Sequence, residues 1–205
     1  MVHPRSSPLP QPSLLPSMLN QNGTPSSRLV GTQIFCGDCH SSDDNREFGG
    51  TGPNGPHGSI YPHILERNYQ FSQATVPGGT VTNTYPSPDT SPQGPYAMCA
   101  KCHDLNNILS NASWTQHNRH ISTDGFSCSV CHTSHGMGAV NASISGERLV
   151  NFDIAVVGQN NGAPISYNRG TNSCTLMCHN AAHNPDGSVS VNGTVLPQIL
   201  SVPKH

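Results

Sequence analysis

The chain has little charge and no long apolar run. Lys, Arg, Asp and Glu make up 10% of its 205 residues, with nine basic against eleven acidic side chains. So few and so scattered basic residues exclude the basic stripe of a nucleic-acid-binding surface. No apolar run approaches the length needed to span a membrane. We therefore expect no nucleic-acid partner and no membrane span.

The material for an apolar core is scarce as well. Leu, Ile, Val and Phe account for 39 of the 205 residues, a fraction typical of chains that do not fold on their side chains alone. Twenty Gly and eighteen Pro favour loops over long helices and strands. We therefore predict a mostly irregular, coil-rich fold with a few short α-helices and a minor β-hairpin, in which another group supplies the missing apolar surface.

Local patterns place the few regular elements. Residues 96–121 are the best helical candidates, the sequence RLVNFDIAVV at 148–157 has the composition of a strand, and SVSVNGTV at 188–195 has the alternation and Asn-Gly turn of a hairpin. Residues 1–33 are rich in Pro and Ser and are expected to form an arm that is either disordered or laid along another surface, such as that of a neighbouring subunit. Residues 34–205 are expected to form a single domain.

Cysteine paired with histidine is what the chain has in abundance. All eight cysteines fall in four pairs, each followed directly by His: CGDCH at 36–40, CAKCH at 99–103, CSVCH at 128–132 and CTLMCH at 174–179. We call these motifs 1 to 4. The Cys-x-x-Cys-His spacing is typical of covalent haem attachment, in which two thiols add to one porphyrin and the adjacent imidazole reaches the iron.

Four haem c groups are therefore predicted, and they would also supply the apolar surface that the composition lacks. The predicted anchors are Cys36, Cys39, Cys99, Cys102, Cys128, Cys131, Cys174 and Cys178. The predicted proximal iron ligands are His40, His103, His132 and His179.

Motif 4 has three residues between its cysteines instead of two. Because His179 still directly follows Cys178, the extra residue lengthens only the loop to Cys174. We expect both thiols to be attached, with attachment through Cys178 alone as the alternative. Zinc sites and a redox dithiol are other uses of paired cysteines, but they do not explain a His after every pair. Local disulfides are disfavoured because cysteines so close in sequence rarely reach relaxed disulfide geometry.

The second ligands are expected among the eight remaining histidines. A haem that only passes electrons is capped on both faces, most often by His/His or His/Met. The candidate distal ligands are His57, His117, His120, His135 and His183. His63 is a further candidate, His3 and His205 would serve only where the chain ends are held, and Met18, Met98 and Met137 are the alternative caps.

With these motifs the sequence resembles the multihaem c-type cytochromes of the cytochrome c3-like, outer-surface kind, and among them the tetrahaem cytochromes that polymerise into extracellular nanowires. The resemblance covers about residues 36–183 and includes GPHGS, HNRHI, LVNFD, CHTSHG and CHNAAH. It implies bis-His haems stacked in close pairs as the core of a coil-rich protein. It also implies a homopolymeric filament whose other partners are redox proteins or extracellular electron acceptors. The implied location is extracellular or at the cell surface, and the implied role is electron transfer rather than enzymatic catalysis.

Two other functions remain open at this point. A soluble periplasmic tetrahaem shuttle normally has a charged docking face, which a nearly neutral chain does not favour. A multihaem reductase needs an open iron position and nearby acid groups, and the surplus of histidine disfavours it.

Overall fold

The structure is a computed structural model that describes residues 13–69, 96–124, 126–135, 147–178, 180–191 and 194–196. The chain divides into two compact units with the boundary between Phe126 and Ser127. This boundary lies inside the single domain expected from residue 34 to residue 205. The predicted division between residues 33 and 34 stays a prediction.

The first unit contains a two-stranded antiparallel sheet of β1 (Ser17–Leu19) and β2 (Pro25–Leu29). In the turn between them, the Asn22 side-chain oxygen accepts the N–H of Thr24, and Gly23 has a φ of +81° that glycine adopts at little cost. β1 is buried along its whole length, whereas β2 alternates between half-buried and exposed residues. The strand β1 is therefore part of the core although it belongs to the predicted arm.

The middle of the first unit contains short helices. They are α1 (Ala97–Ala100), α2 (Leu105–Leu109) and a π-helical turn at Asn118–Thr123. The Asp104 carboxylate caps α2 by accepting the N–H of Asn107 at 3.1 Å. Within the described residues, no helix is long and apolar enough to cross a membrane.

The second unit contains a five-stranded antiparallel sheet whose strands follow chain order. The strands are β3 (Ser166–Asn168), β4 (Ser173–Cys178), β5 (Ala181–His183), β6 (Val189–Val191) and β7 (Thr194–Leu196). The strand expected at 148–157 was wrong, because this stretch contains turns and a single bridge between Val150 and His132.

Each unit has an apolar core made of side chains. The buried apolar residues of the first unit are Met18, Leu19, Phe48, Leu65, Tyr96, Ala97, Ala100, Leu105 and Ile121, and those of the second are Val130, Val150, Phe152, Val157 and Leu176. Burying one large apolar side chain contributes about 1.5–3 kcal/mol. A small number of well-buried side chains thus forms the apolar core of each unit, which the composition alone did not predict.

The predicted fold class was wrong. It gave a mostly irregular chain with one minor hairpin around a chain of stacked haems, whereas the described residues form seven strands in two antiparallel sheets with side-chain cores. β6 and β7 do pair near the predicted hairpin, but they are the last two strands of a larger sheet. Most of these strands have three residues, which is too short to produce a period-2 pattern that can be read from sequence.

Candidate functional site

Motifs 1, 2 and 3 share one backbone turn. In each, the carbonyl of the first cysteine accepts the N–H of the second cysteine and the N–H of the following His. The paired distances are 3.2 and 2.7 Å at Cys36, 3.1 and 2.9 Å at Cys99, and 3.2 and 2.9 Å at Cys128. A spacing of two residues therefore closes a single helical turn, which brings two thiols and one imidazole together as covalent haem attachment requires.

The imidazoles of these three motifs are also held in the same way. In each, Nδ1 lies within hydrogen-bond distance of a backbone carbonyl oxygen from a distant segment. The pairs are His40 and His63 at 2.9 Å, His103 and Ser13 at 3.0 Å, and His132 and Arg148 at 3.0 Å. A carbonyl partner assigns the ring proton to Nδ1, so Nε2 carries the lone pair that a metal needs.

A second backbone bond fixes each of these partner segments to its motif. In each segment one residue (Leu65, Leu14 or Val150) forms an antiparallel β-bridge with the His of the motif. The residue after it donates its N–H to the carbonyl of the motif's second cysteine. The pairs are Glu66 and Cys39, Leu15 and Cys102, and Asn151 and Cys131, each at 2.9 Å. We name 63–66, 13–15 and 148–151 the partner segments of motifs 1, 2 and 3. Residues 13–15 of the predicted arm thus belong to the site at motif 2.

Two of the partner segments contain left-handed backbone. His63 and Ile64 have φ values of +61° and +52°, and Arg148 and Leu149 have values of +56° and +57°. Such residues cost roughly 1–3 kcal/mol each when they are not glycine, and they persist only where the surrounding contacts hold them. The carbonyls that accept from His40 and His132 are therefore maintained at an energetic cost.

Motif 4 has a different conformation. Cys174 and Cys178 lie on β4, opposite Tyr167 and Ala181 respectively. Four residues of extended strand separate their Cα atoms by about 13 Å and place both side chains on one face. These two residues do not fit a single porphyrin while β4 stays paired, and His179 lies outside the described residues.

The environment of the thiols bears on the alternatives to haem. Burial raises the pKa of Cys39, and it raises the pKa values of Cys102, Cys131 and Cys174 to about 12. A redox dithiol needs the opposite shift, since the thiolate is the reactive form. Within the described ranges, no group of three or more His, Cys, Asp or Glu side chains is arranged to hold a metal ion.

The same effects show which cysteines are neighbours. In the first unit, burial is the main cause of the raised pKa of Cys102 and the Lys101 ammonium opposes it. A negative charge on the nearby Cys39 raises this pKa further. In the second unit the charges of Cys174 and Cys178 add to the raised pKa of Cys131. Motif 2 therefore lies beside motif 1, and motif 4 lies beside motif 3.

His117 and His120 are the two distal candidates that the structure brings together. The Trp114 indole packs edge-on against His117 at 5.2 Å and stacks on His120 at 5.3 Å. His117 Nδ1 lies 3.1 Å from the Ser113 hydroxyl, and His120 Nδ1 lies 2.9 Å from the Gln116 carbonyl. Both rings thus resemble the proximal imidazoles in having Nδ1 engaged.

The other distal candidates differ in their exposure. His57 is exposed in the glycine-rich loop 55–58, His135 is exposed after motif 3, and His183 is half-buried on β5. His63 contributes its backbone carbonyl, whose oxygen lies within hydrogen-bond distance of His40 Nδ1. His3 and His205 lie outside the described residues, as does Met137, while Met18 is buried in the core of the first unit.

Apolar side chains around motif 1 are exposed. Phe35 is 53% exposed directly before Cys36, and Ile64 is 43% exposed beside the carbonyl that accepts from His40. Ile60 is 75% exposed in the loop that leads to the same partner segment. Large apolar side chains exposed on the segments beside motif 1 favour a surface that another apolar body covers. Motifs 1, 2 and 3 fit covalent haem in their turn and imidazole geometry, and motif 1 also fits in its apolar surroundings.

The partner segments and the buried charged residues beside motif 1 were missed from the sequence. The partner segments act through backbone carbonyls, which leave no residue signature. Glu66 and Arg67 carried a weak signal as adjacent charges in a chain with few charged residues, and Lys101 as a charge between the cysteines of motif 2. No family model matches the chain, and neither does any curated protein or solved structure.

Proposed function

We propose that this chain is an electron-transfer protein, not an enzyme, that carries four covalently bound haem c groups with two His ligands each. We further propose that it is a subunit of an extracellular or cell-surface filament of identical chains. The resemblance to filament-forming tetrahaem cytochromes supports this assignment.

The observation that carries the proposal is the threefold repetition of one local geometry. Motifs 1, 2 and 3 are distant in sequence and have different neighbours, yet each closes the same turn and ties its imidazole Nδ1 to a carbonyl. A structural cysteine or a surface histidine needs neither feature. Covalent attachment with iron ligation through Nε2 needs both.

The chain's own residues would fix, orient and enclose the cofactor. The paired thiols would anchor it, the proximal Nε2 would ligate its iron, and the carbonyl at Nδ1 would prevent the ring from rotating. His117 and His120 are proposed as distal ligands in the first unit, and His57, His135 and His183 are the further candidates. Haem iron supplies reversible one-electron chemistry when it is closed on both faces in this way.

Motif 4 requires a change of backbone before it can take a haem through both thiols. The sequence CTLMCH supports a fourth group, but β4 would have to leave its neighbours β3 and β5 around Cys174 or Cys178. Each backbone hydrogen bond given up there costs about 1 kcal/mol net. The proposal of four haems therefore includes an opened β4 in the loaded protein.

Intact mass spectrometry and spectroscopy test the cofactor proposal. The protein produced in a host that attaches haem c should carry four haems, and its spectrum should be that of low-spin iron. The variant Cys99→Ser/Cys102→Ser should carry one fewer, whereas Ser110→Ala, an exposed change nearby, should carry the same number as the wild type. A wild-type protein without covalent haem would refute the proposal, and a high-spin signal would favour the reductase alternative.

The assembly proposal has weaker support and its own test. Low charge and exposed apolar residues, including Leu29, Val30 and Ile154, favour association with other chains. Electron cryomicroscopy and sedimentation of the native haem-loaded protein should detect filaments. Discrete monomers under native conditions would favour the periplasmic shuttle instead.

A further inference from the structure

A buried charged group connects motif 1 to motif 2. Lys101 lies between the two cysteines of motif 2, and its ammonium donates to the backbone carbonyl of Asp38 at 2.6 Å. Asp38 directly precedes Cys39, the second cysteine of motif 1. The Lys101 side chain therefore joins the interiors of the two motifs.

Glu66 completes the connection from the other side. Its carboxylate accepts from the Lys101 ammonium, and its backbone N–H donates to the carbonyl of Cys39 at 2.9 Å. Lys101 is 1% exposed and Glu66 is 0% exposed. A paired charge in such a setting is held in one geometry, because moving either partner would leave a desolvated charge alone.

Neighbouring groups restrict Lys101 further. Its ammonium lies 3.3 Å from the centroid of the Phe48 ring, and its backbone carbonyl accepts the N–H of Leu19 on β1 at 2.9 Å. The buried Arg67 donates to the carbonyl of Leu19 at 2.8 Å and lies 3.5 Å from the Glu66 carboxylate. Both ends of Lys101 are thus fixed, so its contacts restrict any shift of motif 1 relative to motif 2.

We propose that Lys101 and Glu66 are positioning residues that hold motifs 1 and 2 at one fixed separation, so that the two haems carried there act as one coupled pair. This rests on the proposed haem attachment. The nearness of Cys39 and Cys102 agrees with it. The contacts join atoms of the two motifs themselves, because Lys101 lies between Cys99 and Cys102 and binds the carbonyl of the residue before Cys39.

The test uses the full haem-loaded chain and the double variant Lys101→Met/Glu66→Gln. Removing both charges together avoids leaving either one buried without the other, and the amide oxygen introduced at position 66 can still accept from Arg67. The ammonium that joins the motifs is removed. Two haems at a fixed short separation give a two-signed couplet in Soret circular dichroism. We expect the variant to keep its haem count and low-spin spectrum and to lose the part of the couplet that comes from the first unit.

An exposed ion pair of the same unit provides the matched control. Arg119 and Asp124 pair at 2.9 Å near the π-helical turn, so Arg119→Gln/Asp124→Asn removes two charges without touching either motif. This control should keep the wild-type couplet. Lys101→Arg retains a cation that can reach the same acceptors and should retain more of the couplet than the double variant.

The outcomes separate this proposal from the proposed function. An unchanged couplet in a fully loaded double variant overturns the role of Lys101 and Glu66 and leaves haem binding intact. A wild-type protein without haem at motifs 1 and 2 overturns the proposed function itself. If the double variant does not fold, Lys101→Met takes its place, since it removes the ammonium that joins the motifs and leaves Glu66 paired with the buried Arg67. A full wild-type couplet in that variant also overturns the proposal.

Discussion

Replacing Phe48 by Leu would remove the aromatic face that lies against the buried Lys101 ammonium. The ammonium lies 3.3 Å from the ring centroid, and both side chains are buried. A desolvated cation gains about 2 kcal/mol from an aromatic face, which Leu does not supply. The change of shape in the core costs about 1 kcal/mol more. We therefore expect the free energy of unfolding of the first unit to fall by about 3 kcal/mol.

Phe152→Leu in the second unit is the matched control. Phe152 is buried like Phe48, but no cation lies over its ring among the described residues, so its replacement should cost only about 1 kcal/mol. The two units need not unfold together, and native-state hydrogen exchange read from peptides of each unit therefore measures the two losses separately. Equal losses at the two positions would refute the argument from the Lys101 ammonium.

Three further predictions concern local structure. Asp104→Ala removes the cap of α2 and should lower the stability of that helix by about 1 kcal/mol, measured by amide exchange in its first turn. Hydrogen bonds from Thr51 hold the pKa of the Asp44 carboxyl below 3.8. The carboxylate therefore stabilises its loop above that value and loses this effect as the pH falls through the lowered pKa, so the exchange protection of the Thr51 amide should be lost there. Gly50→Ala should destabilise by about 1–3 kcal/mol, because a Cβ there would overlap the backbone of Asp44. Gly158→Ala has open space and should be close to neutral in thermal unfolding.

Part of the site could be predicted because it depends on spacing along the chain. Two residues between cysteines and a His directly after them are enough to close one turn, and motifs 1, 2 and 3 close that turn in the structure. The shared face of His117 and His120 likewise follows from a separation of three residues. Trp114 contacts both rings, which a short local segment also makes possible.

The fold was harder to predict because its sheets depend on pairing between segments with weak local signals. β4 contains the cysteines of motif 4, and its residues were interpreted as an attachment loop with one insertion. Its neighbours β3 and β5 contribute three paired residues each, and such pairing is a property of the assembled sheet rather than of any one strand. The sparse composition was also misleading, since it counts apolar residues without showing how completely each is buried.

By itself, the sequence determined the make-up of each motif: which cysteines are paired by their spacing, which His follows them, and that the chain has few charged residues. Only the tertiary structure decided which distant carbonyl holds the imidazole of motifs 1, 2 and 3, that the cysteines of motif 4 lie on a strand, and that Lys101 of motif 2 binds Glu66 and the backbone of motif 1. The physical reason is the separation along the chain of the groups that interact. A turn of five residues forms from local bonds, whereas a carbonyl partner or a buried ion pair forms only when segments far apart in the chain are packed together.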